Sequence, residues 1–145
     1  MATTWTRSQY VSTPIGRIGG TTDETQTENL SFEFEGDIQP TDADKEINIA
    51  WVRSRLKAIA IHCRKNDPVR TASNLLAEGM TLESNSTSSP GDTVTLVAGT
   101  PIIWMADYDP ADEMPFASAD VTKIYVNPNG SVIQELQLAV LMDEA

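Results

Sequence analysis

The chain has 145 residues, with ten Lys and Arg against twenty-one Asp and Glu, and a formal net charge of −11. This length fits one domain, and a chain of this size buries roughly 68–70% of its unfolded surface without disulfides or metals. The acidic balance argues against nucleic-acid binding, since a basic surface is needed to neutralise phosphates. No run of residues approaches the ~18 apolar residues of a membrane span. We therefore expect a soluble protein, made in the cytoplasm, that binds neither nucleic acid nor membrane.

Residues 1–27 differ in composition from the rest of the chain. Apolar residues are scattered, and a strand over Thr4–Val11 would end quickly because Pro14 and three glycines follow it. We predict an extended N-terminal arm over residues 1–27, followed by a β-sandwich domain over residues 28–145. Large apolar side chains are costly to leave in water, so the arm packs along its own sandwich or along a neighbouring subunit. The side chains expected at that interface are Trp5, Tyr10, Ile15 and Ile18.

A period of two in apolar residues begins after Asn29 and predicts a series of strands. Leu30–Phe34 and Glu46–Trp51 each have one apolar and one polar face, which is typical of half-buried strands. Leu56–Cys63 is apolar on both faces and is predicted to be a central strand. His62 and Cys63 are the single residues of their types, and we interpret them as a structural imidazole and a buried thiol.

Positive charge is concentrated in one part of the chain. Six of the ten cations fall within eighteen residues, and they form either a solvated strand end or a patch that docks on an acidic partner. Thr71–Gly79, which follows, has a capping residue and a glycine stop, so one or two helical turns are predicted there. The six cations are Arg53, Arg55, Lys57, Arg64, Lys65 and Arg70.

The second half of the chain contains the strongest turn signals. Met80–Met105 holds three strand-like runs and predicts a β-meander, with its first turn in Ser86–Asp92. Asp107–Glu113 is acidic, but it lacks the glycine and the final glutamate of an EF-hand loop and is interpreted as a solvated loop. Asn129-Gly130 lies between Val121–Asn127 and Ser131–Met142, two runs interpreted as strands, and predicts a hairpin.

Catalytic and cofactor-binding motifs are missing from the sequence. There is no phosphate-binding glycine loop, nucleophile elbow or zinc-binding motif, so no catalytic, cofactor or metal site is assigned. Metal-dependent cupin enzymes need several histidines, whereas this chain has one. The predicted fold class is all-β, an antiparallel β-sandwich or jelly-roll-like domain with an extended N-terminal arm.

From about residue 44 to the C-terminus, turn and strand segments follow one another at 47–49, 56–59, 82–86, 89–94, 98–104 and 121–126. This order of elements resembles the small head decoration, or cement, proteins of tailed bacteriophages. This resemblance implies a non-enzymatic virion protein that binds the major capsid protein on the outer capsid surface as a homotrimer and stabilises the lattice. In that case residues 1–27 and the basic cluster near Arg53 to Arg70 are expected to make most of the contacts between molecules, with Arg53, Arg55 and Arg64 as the interface cations.

Two alternative functions remain open at this point. The first is a glycan- or receptor-binding β-sandwich module of a virion, in which Trp104, Tyr108 and the acidic loop would contact the sugar. The second is a glycosidase, because carboxylates are plentiful and their separation in sequence does not reveal their separation in space.

Overall fold

A computed structural model describes residues 3–8, 11–13, 16–18, 23–28, 30–65 and 79–143. The described residues form twelve β-strands. Four of them precede the sandwich: β1 (Thr3–Ser8), β2 (Val11–Thr13), β3 (Gly16–Ile18) and β4 (Asp23–Glu28). The next four are β5 (Leu30–Ile38), β6 (Lys45–Ile47), β7 (Leu56–Lys65) and β8 (Gly79–Ser84). The last four are β9 (Thr93–Val97), β10 (Ile102–Met105), β11 (Ile124–Asn129) and β12 (Gln134–Met142).

Eight strands form two packed antiparallel sheets of four. Sheet I has the order β10-β7-β12-β5, and sheet II has the order β6-β11-β8-β9. Along the eight strands, β5 pairs with β12, β6 with β11, β7 with β10 and β8 with β9, so the first strand pairs with the last and each pair is nested inside the one before it. This is the topology of a jelly roll, in which one long hairpin is wrapped into two sheets. The predicted all-β sandwich is confirmed.

The buried residues follow the predicted alternation. On β7, Ile59, Ile61 and Cys63 have no exposed surface, and they face sheet II. β7 lies between β10 and β12, which confirms the prediction of a central strand. Trp51 is also buried and packs edge-on against Phe116, with ring centroids 5.7 Å apart. This interior supplies the hydrophobic driving force that holds the sheets together.

Two of the predicted connections are wrong. β9 and β10 belong to different sheets, so the segment Met80–Met105 is not a meander. β11 and β12 also belong to different sheets, so Asn129, the last residue of β11, and Gly130 lead into a connection between sheets and not into a two-stranded hairpin. Gly130 has a φ of 137°, a conformation that favours glycine in either kind of turn. The turn residues were recognised, but local turn chemistry does not determine which strand the chain joins next.

The predicted N-terminal arm contains paired strands. β1 pairs with β4, and β2 pairs with β3, so the described parts of residues 3–28 form two small two-stranded sheets, which we call the N-terminal ribbon. A single residue, Asn29, separates β4 from β5. The two-stranded pairing replaces the single strand predicted over Thr4–Val11. The helical turns predicted for Thr71–Gly79 lie outside the described residues, except that Gly79 begins β8.

One buried polar side chain links the two sheets. Gln134 on β12 has no exposed surface, and its Nε2 donates hydrogen bonds to the Gly79 carbonyl oxygen (2.9 Å) and the Asn129 carbonyl oxygen (3.1 Å) in sheet II. Gly79 leaves no room for a larger residue, because a Cβ at that position would lie 2.0 Å from the carbonyl oxygen of Leu96. The Nε2 of Gln134 is therefore satisfied, as a buried amide requires, while its Oε1 has no hydrogen-bond partner among the described residues.

We expect Gln134→Met to lower the free energy of unfolding by about 1–2 kcal/mol, because the buried carbonyl group of Gly79 and the partly buried carbonyl group of Asn129 lose a donor. Urea unfolding with an unchanged m-value measures this effect. Gln137→Met, on the same strand but pointing to the outer face, is the matched control, and we expect a change within about 0.5 kcal/mol. Equal midpoints for the two variants would contradict the role given to Gln134.

Burial raises the pKa of the Cys63 thiol from 9.0 to about 11. Between these values the unfolded chain has lost the thiol proton and the folded chain has kept it, so the stability contributed by Cys63 falls as pH rises from about 9 to about 11. We expect the difference in unfolding free energy between the parent chain and Cys63→Ala to shrink by about 2–3 kcal/mol across this range. Denaturant titrations of both chains at several pH values measure it, and a constant difference would contradict the prediction.

Candidate functional site

The outer face of sheet I is the best candidate for a functional surface. Successive side chains of a strand point to opposite faces, so the residues that alternate with the buried core of sheet I point away from sheet II. The strand registers place these outward residues in rows that run across the four strands. The side chains differ in size and polarity from row to row, so the shape and charge of the surface change along the strands.

The first row is covered although it lies on the outer face. Ala58, Met105 and Leu141 lie side by side and are at most 1% exposed. The backbone of β4, in the N-terminal ribbon, comes within 8 Å of β7, measured between Cα atoms. This end of the outer face is therefore an apolar surface that is already buried in the folded chain.

The second row forms a notch. Glu33 on β5, Ala139 on β12, Ala60 on β7 and Ile103 on β10 are neighbours in register, which gives the order large, small, small, large. The two alanines leave a depression of about 380 Å³ between the larger side chains. Ile103 is 42% exposed, so the apolar wall of the notch is open to solvent.

The third and fourth rows are polar. Glu35, Gln137 and His62 are neighbours in register and line one end of the notch. Beyond them, Nη2 of Arg64 lies 2.7 and 2.9 Å from the two carboxylate oxygens of Glu135. The hydrogen bond with Glu135 raises the pKa of the Arg64 guanidinium, with a smaller contribution from Glu35. The surface around the notch therefore has an excess of carboxylates.

The structure separates the predicted basic cluster. Arg55 directly precedes β7 and Arg64 lies near the other end of that strand, so the two are about 30 Å apart at the rise of an extended strand. Arg64 lies on the outer face of sheet I near the notch. Arg55 Nε donates a hydrogen bond to the backbone oxygen of Asp143 (3.0 Å), and Lys57 pairs with the Asp143 carboxylate at 3.2 Å. Lys65 ends β7, and Arg70 lies outside the described residues.

The remaining predicted interface residues lie in several places. Arg53 begins a short 3-10 helix before β7, and its backbone N–H donates to Asp120 Oδ1 at 2.7 Å. Trp5 lies in β1 and Ile18 lies in β3. Tyr10 and Ile15 lie outside the described residues.

The acidic loop Asp107–Glu113 is held against the sandwich by hydrogen bonds. Asp109 Oδ2 accepts a hydrogen bond from the backbone N–H of Met105 at 2.8 Å. Trp104 Nε1 donates to the Pro110 carbonyl oxygen at 2.9 Å, and Trp104 is only 5% exposed. Trp104 therefore has no open ring face on which a sugar can stack, whereas Tyr108 is 45% exposed.

The loops at the end of the sandwich next to this acidic loop are tied together by Asn85 and Asp92. Asn85 Oδ1 accepts hydrogen bonds from the backbone and hydroxyl of Thr122, and its Nδ2 donates to the Asp120 carbonyl oxygen. Asp92 accepts hydrogen bonds from the backbone and hydroxyl of Ser118. These short polar side chains satisfy loop backbone groups, which explains why Ser, Asn and Asp are abundant here.

One feature of the site was missed by reasoning from the sequence. The pairing of Ala60 with Ala139 depends on a register between residues about eighty positions apart, and no local pattern indicates it.

In the part of the chain that the structure describes, no three His, Cys, Asp or Glu side chains are grouped so as to hold a metal ion. Within those same residues, no helix has the length and apolar character needed to cross a bilayer.

Comparison of the chain with protein-family models, with curated proteins and with solved structures found no match.

Proposed function

We propose that this chain is a non-enzymatic structural protein of a virion that binds the major capsid protein on the outer capsid surface and stabilises the lattice as a homotrimer. The observation that carries the proposal is the outer face of sheet I, with an open notch beside an apolar row that is already covered. A face of this kind is suited to adhesion, because it combines exposed apolar area with charged groups at its margin.

The fold supports the proposal without deciding it. Jelly rolls occur in viral capsid proteins, in lectin domains and in cupins, so the topology is compatible with a virion protein and also with other classes. Cupin metal sites need several histidines, and the single histidine of this chain, His62, lies on the outer face of sheet I beside Glu35 and Gln137. The resemblance in the order of elements to bacteriophage decoration proteins favours the capsid.

The N-terminal ribbon gives a reason for assembly. A two-stranded ribbon is at best marginally stable alone in water, so its stability must come from the surface against which it packs. One residue joins the ribbon to β5, at an edge of sheet I, which places it within reach of its own sheet and of a neighbouring molecule. A strand ribbon that bridges neighbouring copies would link subunits arranged around a three-fold axis.

Cosedimentation with empty capsid shells of the same virus tests this function, together with sedimentation equilibrium for the trimer. We expect removal of residues 1–27 to abolish the trimer and to weaken binding to shells by about 100-fold, which is the effect of losing an interface hot spot. Tyr108→Ala is the control and should bind shells as the parent chain does. Unchanged trimer formation and shell binding after the truncation would contradict the proposal. Loss of shell binding by Tyr108→Ala, together with binding of the parent chain on a glycan array, would also contradict it.

A further inference from the structure

The notch has the shape and charge of a site for one long side chain. Its volume of about 380 Å³ lies at the lower end of the roughly 300–1,000 Å³ typical of ligand pockets. Its floor is formed by Ala60 and Ala139, and the exposed Ile103 forms one wall. Such a surface accommodates the apolar stem of a side chain and excludes water from it.

The opposite wall of the notch is acidic. Glu33 and Glu35 lie on the same face of β5, two residues apart, and both are exposed. No described cation lies within ion-pairing distance of Glu33. A side chain with an aliphatic stem and a planar cationic head satisfies both walls, since a guanidinium donates several hydrogen bonds in a fixed plane to carboxylates.

The same face already contains an intramolecular example of this pairing. Arg64 extends from β7 to β12 and contacts both carboxylate oxygens of Glu135. Glu135 and Arg64 lie in the row next to Glu35, Gln137 and His62, so the arginine–carboxylate pair borders the end of the notch. The covered row of Ala58, Met105 and Leu141 borders the other side of the notch. A bound partner would therefore extend an apolar contact that already exists.

We infer that the notch takes an arginine side chain of a protein partner, with the stem over Ala60 and Ala139 and the guanidinium between Glu33 and Glu35. The inference rests on the proposed function only in that the partner is a protein. The net charge of −11 favours a partner that is basic at the contact, because an acidic exterior attracts cations and repels anions.

Titration of the isotope-labelled full-length protein with N-acetyl-arginine N-methylamide, followed by NMR, tests the inference. We expect the amide signals of Ala60, Ala139 and His62 to shift, with a Kd of the order of 1 mM for a ligand of this size. The citrulline analogue has the same shape without the charge, and it should bind about fivefold more weakly, as expected for exposed ion pairs.

Three variants separate the contributions of shape and charge. Ala139→Leu fills the notch on the outer face and should abolish the shifts. The double variant Glu33→Gln and Glu35→Gln should reduce arginine binding to the level of citrulline. Glu83→Gln removes a carboxylate on β8, in sheet II, and should leave the binding unchanged. Equal binding of arginine and citrulline, full binding by Ala139→Leu, or no shifts near the notch would overturn the inference.

Binding to capsid shells distinguishes this inference from the proposed function. Shell binding by Ala139→Leu equal to that of the parent chain would leave the proposed function in place and overturn the notch as the contact. Arginine binding in the notch without any shell binding would support the notch as an arginine site and overturn the proposed function. Loss of shell binding by Ala139→Leu, with the fold intact by circular dichroism, would support both.

Discussion

The pairing of the last strand of the sandwich with the first is the constraint on which the rest of the structure depends. β12 pairs with β5 over nine residues on one side and with β7 on the other, so it forms the middle of sheet I. The partners in the β5–β12 ladder are about 100 residues apart in sequence, and closing so long a loop costs conformational entropy before any contact repays it. The inward side chains of β12 offset this entropy cost, since Leu136, Leu138 and Val140 are buried against the facing sheet. Gln134, at the start of the same row, donates hydrogen bonds to two carbonyl groups of sheet II. These bonds fix the position of one sheet relative to the other.

This constraint also explains the two faces of sheet I. A strand in the middle of a sheet must bury one set of alternate side chains in the core, and the other set is then available for a second purpose. On β12 and β7 the outward set begins with Leu141 and Ala58, continues with Ala139 and Ala60, and becomes polar at Gln137 and His62. The gradient from covered apolar to open polar is therefore a consequence of one register, and a shift by a single residue would exchange the core with this surface. The notch exists because two alanines coincide in one row.

The sequence predicted the strands well and their connections poorly, and the reason is physical. Alternation of apolar and polar residues is a local property, which is why the strands around Ile59, Leu96 and Val126 were located correctly. Turn residues such as Gly99 and Gly130 show where the chain reverses, but they do not show whether the next strand pairs with the previous one or crosses to the other sheet. Gln134 interrupts the apolar alternation of the final strand, and its burial becomes understandable only when its two carbonyl partners from the other sheet are known. The notch was out of reach for the same reason, because it depends on pairing between distant strands.

The polar side chains at one end of the sandwich and those on the outer face of sheet I make different kinds of contact. At one end, Asn85, Asp92 and Asp109 direct their polar atoms to loop backbone groups, so these side chains satisfy the fold rather than a ligand. Carboxylates that are committed in this way are poor candidates for acid–base chemistry, which needs a group free to exchange its proton with a substrate. On the outer face of sheet I, by contrast, Glu33 and Ile103 are exposed and flank an open depression. The exposed groups that flank this depression therefore lie on a broad sheet whose two central strands, β7 and β12, are paired on both sides. A rigid, hydrogen-bonded platform of this kind would hold a docking side chain in place at little entropic cost, which is what the proposed adhesion requires.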